Sequence, residues 1–126
     1  MPAECATIGQ VLQDNGYSTF WLGKNHNVPT EDIASGASRS EWPLQKGFDR
    51  FYGFLGGETN NWYPDLVEDN KFIDQPNTPE QGYHLSKDLA DQAIGMLRDQ
   101  KSTNPSKPWF MWFCPGANHA PHHSPK

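Results

Sequence analysis

The hydrophobic positions of the chain form two helix–strand pairs, one near each end, separated by a long segment without a sustained repeat. Thr7 and Gln10 have the spacing of a capping box, which predicts a helix start, and apolar residues follow at helical intervals. Asn15-Gly16 predicts the end of this helix, because such residues tolerate left-handed backbone. We expect a strand over residues 17–22.

The second pair begins near Ser86, whose side chain is predicted to cap a helix. Leu89, Ala93 and Leu97 lie on one face of that helix. Residues 109–113 follow as an unbroken apolar run, which is typical of a strand buried on both faces of a parallel sheet. Elements in this order predict an α/β fold that contains part of a doubly wound sheet.

The segment between the two pairs, residues 24–82, contains five prolines and predicts a long irregular insertion on the substrate side of the sheet. Within it, we expect residues 31–39 to be mobile. A cluster of large apolar residues predicts an anchor that packs onto the domain, and its members are Phe48, Phe51, Tyr52, Phe54 and Leu55.

Composition and charge narrow the possible partners. A net charge of −5 argues against nucleic acid, because binding to the phosphate backbone needs a basic surface. No apolar run approaches the roughly 20 residues that a membrane span requires. Two distant cysteines give no disulfide framework, and we expect Cys114, within the apolar run, to be a buried free thiol.

Cationic and imidazole side chains follow the first and the last predicted strands. Lys24 and His26 come after the first strand, two positions apart, so they project to the same side in extended backbone. His119 follows the last strand. Open α/β sheets bind ligands beyond the carboxyl ends of their strands. His119 can join Lys24 and His26 from a neighbouring strand end, and the three together would form a cradle for an oxyanion.

Each of these residues also has an ordinary interpretation. A lone lysine or histidine is most often a solvated surface residue. The spacing of His119, His122 and His123 would suit zinc only on a helix, which Pro121 disfavours. We therefore predict no metal site within the chain. His84, beside the second helix start, is assigned a structural role.

Five segments in order carry a family resemblance. They are NGYST at 15–19, GKNH at 23–26, GFDRFYGF at 47–54, YHLSKDLAD at 83–91 and PGANHAPHH at 115–123. Together they resemble a formylglycine-dependent sulfatase of the alkaline-phosphatase-like superfamily. One departure concerns Asn25, where the family usually has Trp.

The resemblance implies arylsulfatase-like hydrolysis of sulfuric esters, in which a hydrated formylglycine attacks sulfur. It implies that Lys24 neutralises sulfate and leaving-group oxygens, and that His26 hydrogen-bonds the formylglycine. His119 would bind sulfate or protonate the leaving alcohol. The resemblance also implies that the functional nitrogens of Lys24, His26 and His119 meet in one small-anion pocket, on the order of 4–6 Å apart. The organic part of a small-molecule sulfate ester would lie near Trp62, His122 and His123. Calcium is expected as a cofactor of the full-length enzyme.

The family's nucleophile lies in a Cys-x-Pro-x-Arg signature, and neither Cys5 nor Cys114 stands in that pattern. The family's paired aspartates and its later Asp-Asn pair for calcium are not found either. We therefore expect residues 1–126 to be an internal part of a sulfatase catalytic domain, inactive alone and without calcium ligands. Two alternatives stay open: a phosphonate or phosphate monoester hydrolase of the same superfamily, and a non-catalytic remnant that acts as a binding fragment.

Overall fold

A computed structural model describes residues 4–34 and 36–124 of the chain. Its helices are α1 (Ile8–Asp14) and α2 (Leu85–Thr103), and its strands are β1 (Ser18–Lys24), β2 (Arg50–Phe54), β3 (Val67–Glu68), β4 (Lys71–Phe72) and β5 (Trp109–Cys114). Short 3₁₀ turns occupy Thr30–Asp32, Pro43–Lys46 and Pro79–Gln81. Ser35, in the stretch predicted to be mobile, lies outside the described residues.

The first helix and strand follow the sequence prediction closely. Thr7 caps α1, since its side chain accepts a hydrogen bond from the Gln10 backbone N–H at 3.0 Å. Gly16, directly after the cap at Asn15, has a φ of +86°, which suits the predicted stop. β1 extends two residues beyond the predicted strand and ends at Lys24.

The start of α2 differs from the prediction. The N-cap is His84, not Ser86, because the His84 backbone is extended and its Nδ1 accepts the Ser86 backbone N–H at 3.1 Å. The structural role assigned to His84 is thus confirmed, and the capping role assigned to Ser86 was wrong. Leu85 and Leu89 are completely buried on the face of α2 that meets the sheet.

The five strands form one sheet in the order β4-β3-β2-β1-β5. β1 pairs in parallel with both β2 and β5, whereas β3 and β4 form an antiparallel extension. The prediction for residues 24–82 missed β2 because this strand is buried on both faces and shows no alternation of apolar and polar residues. The anchor residues are buried as expected, and three of them belong to β2.

The apolar side chains form a layer on each face of the sheet. Phe20 and Leu22 of β1 pack with α2, and Trp21 between them points to the opposite layer. That second layer joins Trp21 to residues of the connection between β1 and β2, namely Val28, Trp42 and Phe48, and to Leu55 directly after β2. The connection is therefore a packed half of the core.

β5 does not match the prediction of a strand buried on both faces. Trp109, Trp112 and Phe113 are 49%, 45% and 41% exposed. The prediction was wrong here because β5 is an edge strand with β1 as its one neighbour in the sheet. Within the described part of the chain, no helix is both long enough and apolar enough to cross a membrane.

A buried carboxylate ties α2 to the sheet. Asp88 of α2 is 8% exposed, and its Oδ2 accepts hydrogen bonds from the hydroxyls of Tyr52 at 2.7 Å and Tyr83 at 2.9 Å. Burial, together with the carboxylate of Asp88, raises the pKa of both phenols far above their usual range. Both tyrosines therefore stay protonated as donors.

The glycine pair between β1 and β2 yields a first prediction. A Cβ on Gly53 would lie 2.1 Å from the backbone oxygen of Gly23, so Gly53→Ala forces the strands apart. We expect a loss of about 3 kcal/mol in the free energy of unfolding, measured by urea titration. The control is Gly95→Ala in α2, where the added Cβ meets nothing within 4 Å and should stabilise by about 0.5–1 kcal/mol. Equal effects of the two variants would contradict the strand geometry.

A second prediction concerns alkaline pH. Tyrosines of the unfolded chain lose their protons above about pH 10, whereas Tyr52 and Tyr83 keep theirs when folded. The stability they provide is complete below that pH and falls as pH rises, by up to about 1.4 kcal/mol per pH unit for each tyrosine. Tyr52→Phe should roughly halve this slope in urea titrations. Tyr63→Phe, at an exposed position, should leave it unchanged.

Candidate active site

The carboxyl ends of three parallel strands meet at one edge of the sheet. Gly23 of β1 is opposite Gly53 of β2 on one side and Cys114 of β5 on the other. The loops that follow these strands therefore start side by side. All predicted site residues lie at the end of one of these strands or in one of these loops.

The loop after β1 is shaped by Asn25. This residue is buried, and its backbone N–H donates to the carbonyl of Phe54 at 3.1 Å, which extends the pairing with β2 by one step. Its Oδ1 accepts the Asn27 backbone N–H at 2.7 Å and closes a turn. Lys24, directly before it, is half-buried, and its carbonyl accepts a hydrogen bond from the Trp21 indole at 3.0 Å.

His26 has left-handed backbone, with a φ of +62°, and its backbone N–H donates to the Leu55 carbonyl at 3.0 Å. The exposed imidazole lies against Gly57, where a Cβ would come within 2.7 Å of Cε1. The loop after β2 therefore needs glycine at this point to leave room for the ring. Non-glycine residues with positive φ cost conformational energy and are concentrated at functional sites.

His119 reaches the same loop from β5. Its Nδ1 lies 2.6 Å from the carbonyl oxygen of Ala120 and 3.4 Å from Oε2 of Glu58. Because both partners are acceptors, Nδ1 carries the proton, and Nε2 is the nitrogen that can meet a ligand. The side chain of His119 is half exposed, so the carboxylate contact is screened by solvent.

The structure brings the two histidines to one loop and Lys24 to the same edge of the sheet. His26 contacts Gly57 and His119 contacts Glu58, which are adjacent in sequence. Lys24 lines a cavity of about 580 Å³ whose wall includes Trp21 and Trp112 but neither histidine. The close approach of all three functional nitrogens stays a prediction.

Cys114 shares that cavity with Lys24. Burial raises the pKa of the Cys114 thiol, and a hydrogen bond with Trp112 and the positive charge of Lys24 oppose this effect without cancelling it. The free thiol is half-buried, less than the sequence predicted. It is protonated at neutral pH and has little nucleophilic character.

The residues predicted to border the organic part of the substrate lie in two places. Trp62, in the loop after β2, is half-buried and packs edge-on against His84, with ring centroids 4.7 Å apart. His122 is exposed, whereas His123 is half-buried and accepts the backbone N–H of Asn61 on Nδ1 at 3.3 Å. Their role in substrate binding stays a prediction.

Two residues of the site were not assigned there from sequence. Glu58, in the loop after β2, pairs with His119. Asn61 is completely buried and contacts the segment after β5. Recognition of β2 would have given the signal for Glu58, which follows that parallel strand by four residues, much as His119 follows β5 by five.

The side chains at this edge can be compared with the ligands that a calcium ion needs. Among residues 4–34 and 36–124, no three His, Cys, Asp or Glu side chains are grouped to hold a metal ion. Calcium takes about six to eight oxygen ligands. Glu58 is a carboxylate at this edge, but its Oε2 contacts Nδ1 of His119. The described residues therefore do not fit a calcium ion.

Comparison with known proteins agrees with this geometry. The sulfatase family model matches residues 1–126, so the chain belongs to the sulfatase family. Arylsulfatase D from Homo sapiens is 36% identical over 64 residues, an alignment that covers 51% of this chain and 10% of that protein.

Solved structures show the same fold. A crystal structure of Ps i-CgsB in complex with k-i-k-neocarrahexaose matches with a TM-score of 0.77 and 24% identity, covering 98% of this chain and 29% of that one. A second crystal structure of Ps i-CgsB matches with a TM-score of 0.70, 24% identity, and coverage of 98% and 28%. The α/β fold is therefore of the sulfatase, alkaline-phosphatase-like type, and the chain spans under a third of each matched structure.

Proposed function

We propose that this chain forms the sulfate-facing part of a sulfatase catalytic domain that hydrolyses sulfuric esters of small molecules. Membership of the sulfatase family supports the reaction. The observation that carries the proposal is that Lys24 ends one parallel strand and that His26 and His119 follow parallel strands whose carboxyl ends form one edge. At that edge one cation and two imidazoles can meet an anion.

The three residues have different chemical tasks. Lys24 is a point charge that offsets the negative charge developing on the sulfate and leaving-group oxygens. His26, fixed by its backbone bond to Leu55 and by Gly57, presents an imidazole that hydrogen-bonds the nucleophile. His119 presents Nε2 to the sulfate or to the leaving oxygen, with Nδ1 held by Ala120.

The nucleophile is assigned to residues outside these 126. Cys5 and Cys114 lack the family signature, and burial raises the pKa of the Cys114 thiol. Calcium is assigned outside as well, because the described residues do not fit it. The part of the reaction that belongs to this chain is thus recognition of the anion and assistance to the leaving group.

The organic part of the ester is assigned to the rim of the edge. Trp62 contributes an aromatic face in the loop after β2, and its packing against His84 fixes that ring. His122 is exposed at the other side, with His123 next to it. An apolar surface flanked by imidazoles suits an ester whose organic part is aromatic or a sugar.

Binding of inorganic sulfate tests the proposal directly. We expect sulfate, titrated at constant ionic strength against chloride, to shift the imidazole NMR signals of His26 and His119. Lys24→Ala should weaken binding about ten-fold, since it removes one charge-assisted contact. Lys101→Ala, near the end of α2, is the matched control and should leave the affinity unchanged. Equal affinities of the two variants would remove Lys24 from the site.

Turnover is a separate prediction. Because the chain carries no Cys-x-Pro-x-Arg signature, the purified 126-residue protein should not release nitrophenol from 4-nitrophenyl sulfate above the buffer rate, with or without added calcium. Turnover that is abolished by Lys24→Ala would show that the chain holds a nucleophile of its own and would overturn this assignment.

A further inference from the structure

Three hydrogen bonds fasten the segment after β5 to the rest of the domain. His84 Nε2 lies 2.7 Å from the carbonyl oxygen of His123. The Asn61 backbone N–H donates to His123 Nδ1 at 3.3 Å, and Asn61 Nδ2 donates to the Pro121 carbonyl at 3.4 Å. We call Asn61, His84 and His123 the clasp. It joins the loop after β2, the start of α2 and the segment that carries His119.

The hydrogen bonds define the protonation of both clasp imidazoles. His84 Nδ1 accepts the Ser86 backbone N–H, so the proton of His84 is on Nε2, which donates to the carbonyl of His123. His123 Nδ1 likewise accepts a backbone N–H, so its own proton is on Nε2. Each ring is therefore a neutral Nε2–H tautomer. A proton on Nδ1 of His123 removes the acceptor of the Asn61 N–H, whereas His84 keeps its Nε2–H donor to the His123 carbonyl when it is protonated.

One side of the clasp is rigid. Asn61 is completely buried and His84 is 5% exposed. The Asn61 carbonyl accepts the Leu85 backbone N–H at 2.9 Å, and the His84 ring packs against Trp62. The other side, residues 120–124, is exposed apart from the half-buried His123. The buried side can therefore set the position of the exposed one.

No counter-charge stabilises a protonated clasp. In the part of the chain that the structure describes, His119 is the one histidine paired with a carboxylate, that of Glu58. Asp88 lies four residues after His84, and its Oδ2 accepts hydrogen bonds from the hydroxyls of Tyr83 and Tyr52. The titratable residues adjacent to the two histidines in sequence are Tyr83, before His84, and His122, before His123. Protonation of either clasp imidazole therefore breaks a hydrogen bond without forming an ion pair.

We propose that Asn61 and His84 are positioning residues that hold residues 121–123, and through them His119, at the carboxyl edge of the sheet. Protonation of His123 on Nδ1 removes the acceptor for the Asn61 backbone N–H and loosens the segment. The effect of this positioning on sulfate binding rests on the proposed function. The clasp rests on the hydrogen bonds alone.

His84→Asn separates the clasp from helix capping. Asn is a preferred N-cap and can still accept the Ser86 N–H, but its shorter side chain does not reach the His123 carbonyl. Amide exchange of His119 and His123 should accelerate about ten-fold, as expected for the loss of one hydrogen bond. Thermal unfolding should remain close to that of the parent chain. Thr78→Asn, a cap-for-cap exchange at the Pro79–Gln81 turn, is the control and should not change these rates.

A second measurement tests the tautomers. Imidazole ¹⁵N signals should report Nε2–H for both His84 and His123 at pH 8, and amide protection of His119 and His123 should fall as the His123 ring becomes protonated. Histidine changes charge between about pH 5 and 8, so the titration covers that range. An Nδ1–H tautomer at either ring, or protection unchanged in His84→Asn, would overturn the clasp.

Sulfate affinity separates this inference from the proposed function. If the parent chain binds sulfate, His84→Asn should weaken binding by lowering the population in which His119 is in place, and Thr78→Asn should not. If the parent chain does not bind sulfate while the exchange rates change as expected, the clasp stands and the proposed function fails. Unchanged sulfate affinity in His84→Asn, with faster exchange, would overturn the positioning role.

Discussion

The close approach of three backbones at the carboxyl end of β1 is the constraint on which the site depends. Gly23 has a φ of +95°, and a Cβ there would lie 1.9 Å from the carbonyl oxygen of Cys114. Gly53 is under a similar constraint from Gly23 on the other side. A side chain at either position would separate the strands, and the loops that carry Lys24, His26 and His119 would no longer start side by side.

The two faces of the sheet support this edge in different ways. On one face, α2 is fastened through Asp88, whose carboxylate is held by two phenol hydroxyls. His84, at the start of the same helix, then contacts the segment after β5. On the other face, aromatic residues between β1 and β2 pack on Trp21. The position of the site thus depends on polar contacts on the first face and on apolar packing on the second.

Sequence reasoning located α1, β1, α2 and β5 because each has a local signal: a cap, a period or an unbroken apolar run. It missed β2 because burial on both faces hides the alternation on which strand recognition depends. It also assigned β5 to the interior, since an apolar run does not show which neighbours are present. The family segments and the order of strands sufficed to bring Lys24, His26 and His119 to one edge. Glu58 and Asn61 were missed together with β2, the strand before them, and their contacts are with residues about 60 positions away.

At position 26, selection for stability and selection for function favour different residues. Glycine adopts a φ of +62° without steric cost, whereas an imidazole-bearing residue does not. A population of variants screened for resistance to heat would therefore accumulate glycine at this position and lose the ring, with no sign of damage in the fold. Stability alone is a poor guide to engineering this protein, because the residue that a thermostability screen would discard first stands at the edge where the anion is expected to bind.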